Sequence, residues 1–269
     1  LTSMSGREYS ASFSPDGSQF VFMGLHDTGF QLFLKKRDKD NAIPLTKLHD
    51  KLSMPQWSPS GDSILYAENR HKGCEVVLLT QILSSAMKKE ALFDCDQSVR
   101  SKPVWHPIKN GFFHIRSTDA KDINELAYFD LDSRQTQILT QHDVPHQLIF
   151  AKASNDGKLL GLLSTSSGLK SDITIIDIDS SQTLAQISID YIINEFAWHK
   201  DRKSIVHVSE HPSQKIIRHL FDGQQETIAS AEFGYLDQVS AIGQSKNFAV
   251  TSHYVDRDIV VLKDGNETV

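Results

Sequence analysis

The hexapeptide SFSPDG at residues 12–17 returns along the chain in altered form, as QWSPSG (56–61), VWHPIK (104–109), KASNDG (152–157), AWHKDR (197–202) and SAIGQS (240–245). Aligning these units puts Phe13, Trp57, Trp105, Ala153, Trp198 and Ala241 at one place, spaced 44, 48, 48, 45 and 43 residues apart. A period of that length constrains the fold more than any local propensity, because it demands one supersecondary unit used repeatedly. All three tryptophans of the chain fall at this position. The position therefore has a packing role that a large flat side chain fills.

Each unit carries the same strand grammar. After every turn comes a short apolar run: QFVFMG (19–24), SILYAE (63–68), FFHIRS (112–117), LLGLLS (159–164), SIVHVS (204–209) and NFAVTS (247–252). Their β-branched and aromatic content reads as strand. A second run follows a polar loop, at 30–36, 74–80, 125–132, 172–179, 215–222 and 258–264. Sustained helical periodicity bounded by caps is absent. Pro15-Asp16-Gly17 and Asn155-Asp156-Gly157 are tight-turn chemistry, with proline presetting its dihedral and glycine accepting a positive φ. One such unit cannot bury both faces alone, so units must stack. The expectation is an all-β, six-bladed β-propeller of four-stranded antiparallel blades, one domain over residues 1–269. Alanine at 153 and 241 implies that two blades pack differently at the repeated position.

The outer strand of the first blade ends in Leu45-Thr46, and Leu139-Thr140 matches it in a later one. The last blade stops at Asn266-Glu267-Thr268-Val269, whereas the chain opens with Leu1-Thr2. These ends are expected to pair in one outer strand, so that the N- and C-terminal segments close the ring. A first residue other than methionine suggests a processed or cut chain, whose preceding segments are not in this sequence.

Composition removes several function classes. Hydrophobic residues at 39% and charged residues at 23% fit a globular core. A net charge of -6, with Lys and Arg scattered, offers no concentrated positive surface for nucleic acid. No apolar run is long enough to cross a bilayer, so membrane attachment would need an anchor outside this chain.

Cys74 opens a third strand and Cys95 ends the fourth, so they face each other in an antiparallel hairpin. Facing residues lie about 4.5–5.5 Å apart at Cα, within the reach of a disulfide. The alternative is two buried free thiols; if the bond forms, the compartment is oxidising, the periplasm or the cell exterior.

The SFSPDG and QWSPSG turns, each followed by a strand and later by Leu-Thr, resemble the TolB-type propeller repeat along the whole chain. The opening LTSMSGREYSASFSPDG and the Cys74/Cys95 placement are similar to the periplasmic C-terminal domains of membrane-anchored winged-helix regulators of the CadC and ToxR type. The resemblance implies a periplasmic sensor domain whose DNA-binding part lies in the cytoplasm.

No catalytic signature is present: no G-x-S-x-G, H-E-x-x-H, Walker loop or G-x-G-x-x-G. His142 and His146 have metal-like spacing, but Pro145 breaks any helix and the segment reads as a loop. Asp119, Asp122 and Asn124 lack the glycine and distal glutamate of a calcium loop. Neither metal nor cofactor is expected. Histidines are numerous, at 12, yet do not converge on one place: His26, His71 and His253 read as loop residues, His114 and His207 as strand residues. The loops joining each fourth strand to the next first strand surround one mouth of a propeller's channel. They contain Arg7, Glu8, Lys51, Arg100, His146, Asn194 and Asp237, whose mixed charge suits a protein segment or a small polar ligand. The expected function is a non-catalytic periplasmic sensor, with a TolB-like envelope scaffold as the alternative. A peptidase propeller would require a catalytic domain elsewhere.

Overall fold

The structure is a computed structural model that describes residues 7–268 apart from 49–50, 53–54, 71–72, 83, 96–102, 118–122, 144–146, 155, 167–168, 181, 210–213, 231–234, 242–247, 254–256 and 264–265. The described chain is an all-β propeller. Five blades have four strands each, and every neighbouring pair is antiparallel. The first blade is β1 (Arg7–Phe13), β2 (Gln19–His26), β3 (Gly29–Lys36) and β4 (Ala42–Pro44). A five-stranded sheet follows: β5 (Lys51–Leu52), β6 (Gln56–Trp57), β7 (Ser63–Arg70), β8 (Gly73–Thr80) and β9 (Lys88–Cys95). Then come the blades of β10 (Val104–Trp105), β11 (Gly111–Ser117), β12 (Ile123–Asp130) and β13 (Thr136–Asp143), and of β14 (Gln147–Ala153), β15 (Leu159–Ser166), β16 (Lys170–Asp177) and β17 (Thr183–Ile189). The last two comprise β18 (Ala197–Trp198), β19 (Ser204–Val208), β20 (Lys215–Leu220) and β21 (Gln225–Ser230), then β22 (Tyr235–Ala241), β23 (Phe248–His253), β24 (Arg257–Lys263) and β25 (Asn266–Thr268).

One part of the expected architecture is corrected. There are five four-stranded blades, not six, because the sheet after the first blade has five strands. Its β5 and β6 both pair with β7 on either side of Pro55, which has no N–H to give to a ladder. The same place is irregular elsewhere: β1 carries an extra residue between Tyr9 and Ser12, β14 between Leu148 and Phe150, and β22 between Leu236 and Val239. Ser10 sits in the β1 bulge at a φ of 53°. Such bulges sharpen twist, and proline turns one of them into a break. Each sheet is built from strands consecutive in sequence, and β25 comes from the blade's own chain. Among the described residues β1 packs on β22, β23 and β24; Leu1-Thr2, whose pairing with the last blade is expected to close the ring, lies outside the described residues.

Alternation along each second strand creates the packing. Val21 and Met23 meet Trp57, Ile64 and Tyr66 of the next sheet, while Phe20 and Phe22 turn to Ala249 of the last blade. Leu65 and Leu78 pack on Phe112 and Phe129, Phe113 and Leu126 on Leu160 and Leu162. Leu163 and Ile173 meet Trp198 and Ile205, and Val206 and Ile216 meet Val239 and Val250. Each cluster sits mainly at one interface between adjacent sheets, so the apolar faces of each unit are covered by its neighbours.

Candidate binding sites at the two ends of the ring

The recurring hexapeptide makes a hydrogen-bonded turn. Ser14 Oγ donates to Asp16 Oδ1 at 2.6 Å and accepts from the Gln19 amide at 3.0 Å, while Gly17, at a φ of 70°, donates to the Ser14 carbonyl. Ser154 and Asp156 repeat the motif. In VWHPIK, His106 replaces the serine, and its Nδ1 accepts the amides of Ile108 and Lys109 at 3.1 and 3.0 Å. In AWHKDR, Asp201 accepts from Ser204 and the Lys203 amide and pairs with Arg218. Hydrogen bonds from Ser14 and Ser18 hold Asp16 down at about 2, and Asp201 is also lowered to about 2 by its partners, against the opposing effect of burial.

Beside these turns, between the five-stranded sheet and the β10–β13 blade, lies a cleft of about 510 Å³. Trp105, Leu78 and Leu131 form its apolar part. On its polar side, Asp62 Oδ1 accepts from Ser60, Ser63 and Ser58 at 2.7, 2.8 and 3.3 Å, which lowers its pKa. Arg134 pairs with Glu90 across the sheet boundary at 3.0 Å, and Asn110 donates to Asp132 at 2.7 Å. The indole of Trp105 is fixed at its edge by donation to the Gln56 carbonyl. Sequence reasoning missed this cleft, although its turns carry the recurring motif.

The expected mouth is at the opposite end, because a turn between first and second strands and a loop between fourth and first strands leave from opposite ends of a blade. Arg7 and Glu8 begin β1, Lys51 begins β5, Asp237 lies in β22, and Asn194 is an exposed residue between β17 and β18. Glu8 is 2% exposed, so it is buried and not a rim residue. Lys51 is exposed. Arg100 and His146 lie outside the described residues. First strands of neighbouring sheets touch, β1 with β6 and β22 and β10 with β14, so the strand starts share one end of the ring.

Other expected features divide. Cys74 and Cys95 are register partners across β8 and β9, and Cys74 is buried. His142 and Asn124 are paired in β13 and β12, so His142 is a strand residue and not the loop residue expected, because the fourth strand extends to Asp143. His253 likewise ends β23 instead of sitting in a loop. Asp119, Asp122 and His71 lie outside the described residues. Among the described residues no group of three or more His, Cys, Asp or Glu is arranged for a metal ion, and no helix is long and apolar enough to cross a membrane. His114 and His207 occupy equivalent second-strand positions, and burial lowers each to about 4. His207 stacks on His219 at 5.0 Å between ring centroids and bonds the Val208 carbonyl through Nδ1.

No protein-family model matches the sequence, and neither does any curated protein sequence. Solved structures do. TolB from Acinetobacter baumannii superposes with a TM-score of 0.71 at 16% identity, over 98% of this chain and 62% of that one; this chain thus spans less than two thirds of that TolB. Hydrazine synthase of Kuenenia stuttgartiensis gives 0.67 at 11% identity over 98% of this chain and 78% of that one. The β-propeller domain of the trilobed protease from Pyrococcus furiosus gives 0.64 at 11%, over 97% and 80%. The chain has a TolB-like β-propeller fold. These relatives in fold include enzymes, so fold alone selects no activity.

Proposed function

We propose that this chain is a non-catalytic binding propeller of the periplasm, the sensing part of a membrane-anchored transcriptional regulator. The carrying observation is the cleft between the five-stranded sheet and the β10–β13 blade. Four of its charged groups have partners: Glu90 with Arg134, Asp132 with Asn110, and Asp62 with three serines. A catalytic site instead needs a titrating group free to move a proton. His106, the histidine that lines the cleft, is lowered by burial and has its Nδ1 occupied by the amides of Ile108 and Lys109, while His114 and His207 are buried in sheet interfaces.

Compartment is argued from Cys74 facing Cys95, a pair that forms a disulfide in an oxidising environment. The mouth residues Lys51 and Asn194 offer a second surface for a protein segment. That surface favours the alternative, an envelope scaffold, since exposed Lys51 and Asn194 stand where strand starts converge.

The reading is tested by thermal-shift and calorimetric titration of the intact chain with a panel of sugars, amino acids and dipeptides, with mass spectrometry of each ligand afterwards. Saturable binding with the ligand recovered unchanged supports it. Conversion of a bound ligand, or no binding across the panel, overturns it.

A further inference from the structure

We infer that the cleft beside Trp105 is a site for a neutral saccharide, a proposal that rests on the binding reading and names the ligand class. Three carboxylates line it, Asp62, Glu90 and Asp132, against two cations, Lys109 and Arg134. Arg134 is already neutralised by Glu90 at 3.0 Å. An anion such as phosphate would therefore meet net negative charge and a spent guanidinium. The polar rim is rich in acceptors, and Asp62 is kept ionised by its serines. Most of the rim's donors are already committed, Arg134 to Glu90, Asn110 to Asp132, and Ser60 and Ser63 to Asp62, so its best ligand brings many O–H groups and no negative charge.

The apolar part fits the same class. Trp105 packs edge-on against Phe112 at 6.3 Å, and its Nε1–H is committed to the Gln56 carbonyl at 3.0 Å. Held at both edges, the ring offers the cleft a fixed apolar surface and no donor. Leu78 and Leu131 extend that surface. A pyranose has the matching duality, one face of C–H groups and a rim of hydroxyls. A volume of about 510 Å³ falls within the ordinary range of small-ligand pockets, and a fixed platform spares the entropy of ordering it on binding.

The test is isothermal titration of the intact chain with maltose, cellobiose and N,N′-diacetylchitobiose, alongside glycylglycine and inorganic phosphate. At least one disaccharide is expected to bind. Trp105→Phe should weaken it by about tenfold, the loss of roughly one good ring contact. Asp132→Asn, at an exposed position where folding is not at stake, should weaken it severalfold, while Lys170→Met on another blade leaves it unchanged. Disaccharide binding indifferent to both cleft substitutions overturns the proposal, as does binding of glycylglycine or phosphate alone. Silence from every disaccharide overturns it too. If the wider panel then yields another ligand, the binding reading stands without the saccharide site; if that panel is also silent, both fall.

Discussion

The indole Nε1–H of Trp105 donates to the backbone carbonyl of Gln56 at 3.0 Å, across the seam between two sheets. Trp198 repeats the contact one repeat pair later, to the carbonyl of Lys152 at 3.0 Å. In both cases the acceptor immediately precedes the equivalent position of the preceding unit, Trp57 or Ala153. In these two units the repeated tryptophan ties the unit to the one before it. Trp57 breaks the pattern: its buried Nε1 has no hydrogen-bond partner.

That difference predicts an ordering of stabilities. Trp198→Phe loses ring volume and a buried hydrogen bond, whereas Trp57→Phe loses volume and an unsatisfied donor. Urea denaturation should therefore find Trp57→Phe less damaging by about 1 kcal/mol, the net worth of one such bond. Equal losses, or the reverse order, would remove the seam bond from the account.

Acid should weaken the fold well before carboxylates protonate. His114 and His207 are lowered to about 4 in the folded chain, from 6.5 unperturbed. Between those values the unfolded chain binds more protons, so their contribution is intact above about pH 6.5 and is lost as pH falls toward 4. Each contributes up to roughly 3 kcal/mol by the usual conversion. The urea midpoint should drop between pH 7.5 and 5, and His207→Phe should flatten that drop. A midpoint constant over this interval would contradict the burial of both rings.

Lys89 holds the carboxylate of Glu68 at 2.7 and 2.9 Å, and Tyr66 adds a bond at 3.1 Å. Glu68 has 0% side-chain exposure and Lys89 has 37%. Lys89→Met removes that ammonium from a buried carboxylate, and because water reaches the lysine end the cost should be about 2 kcal/mol, below the usual range for a buried pair. By contrast Lys170→Met, in a pair exposed at both ends with Asp190, should leave the denaturation midpoint unchanged. Thermal or urea melts of the two variants side by side decide the matter.

Cys74 and Cys95 enclose a loop of about 20 residues, for which the entropy model gives about 3 kcal/mol of stabilisation. Chain produced in an oxidising compartment should resist iodoacetamide until reduced, and reduction should lower its melting temperature. Ready alkylation of both thiols would remove the argument for a periplasmic location.

Much of this was legible because it is local. The period of the hexapeptide, the second and third strands of each unit and the Ser14–Asp16 turn depend on residues close in sequence, whose alternation and turn chemistry leave few choices. Facing cysteines followed from one hairpin's arithmetic and appear as register partners. The break at Pro55 was harder to see, because a bulge and a break differ only in whether a particular amide must donate to β7. Burial of Glu8 was equally hidden, since exposure at a strand start is set by the sheets around it.

Sequence by itself determined the repeating unit and the alternation that gives every unit two apolar faces. Tertiary structure alone decided how the first and last blades meet, with β1 packed on β22 to β24, and where a cleft opens, between turns nearly fifty residues apart. Those outcomes depend on contacts between units. A side chain's neighbours across a seam are fixed by the twist and stacking of whole sheets, which no stretch of the chain encodes on its own.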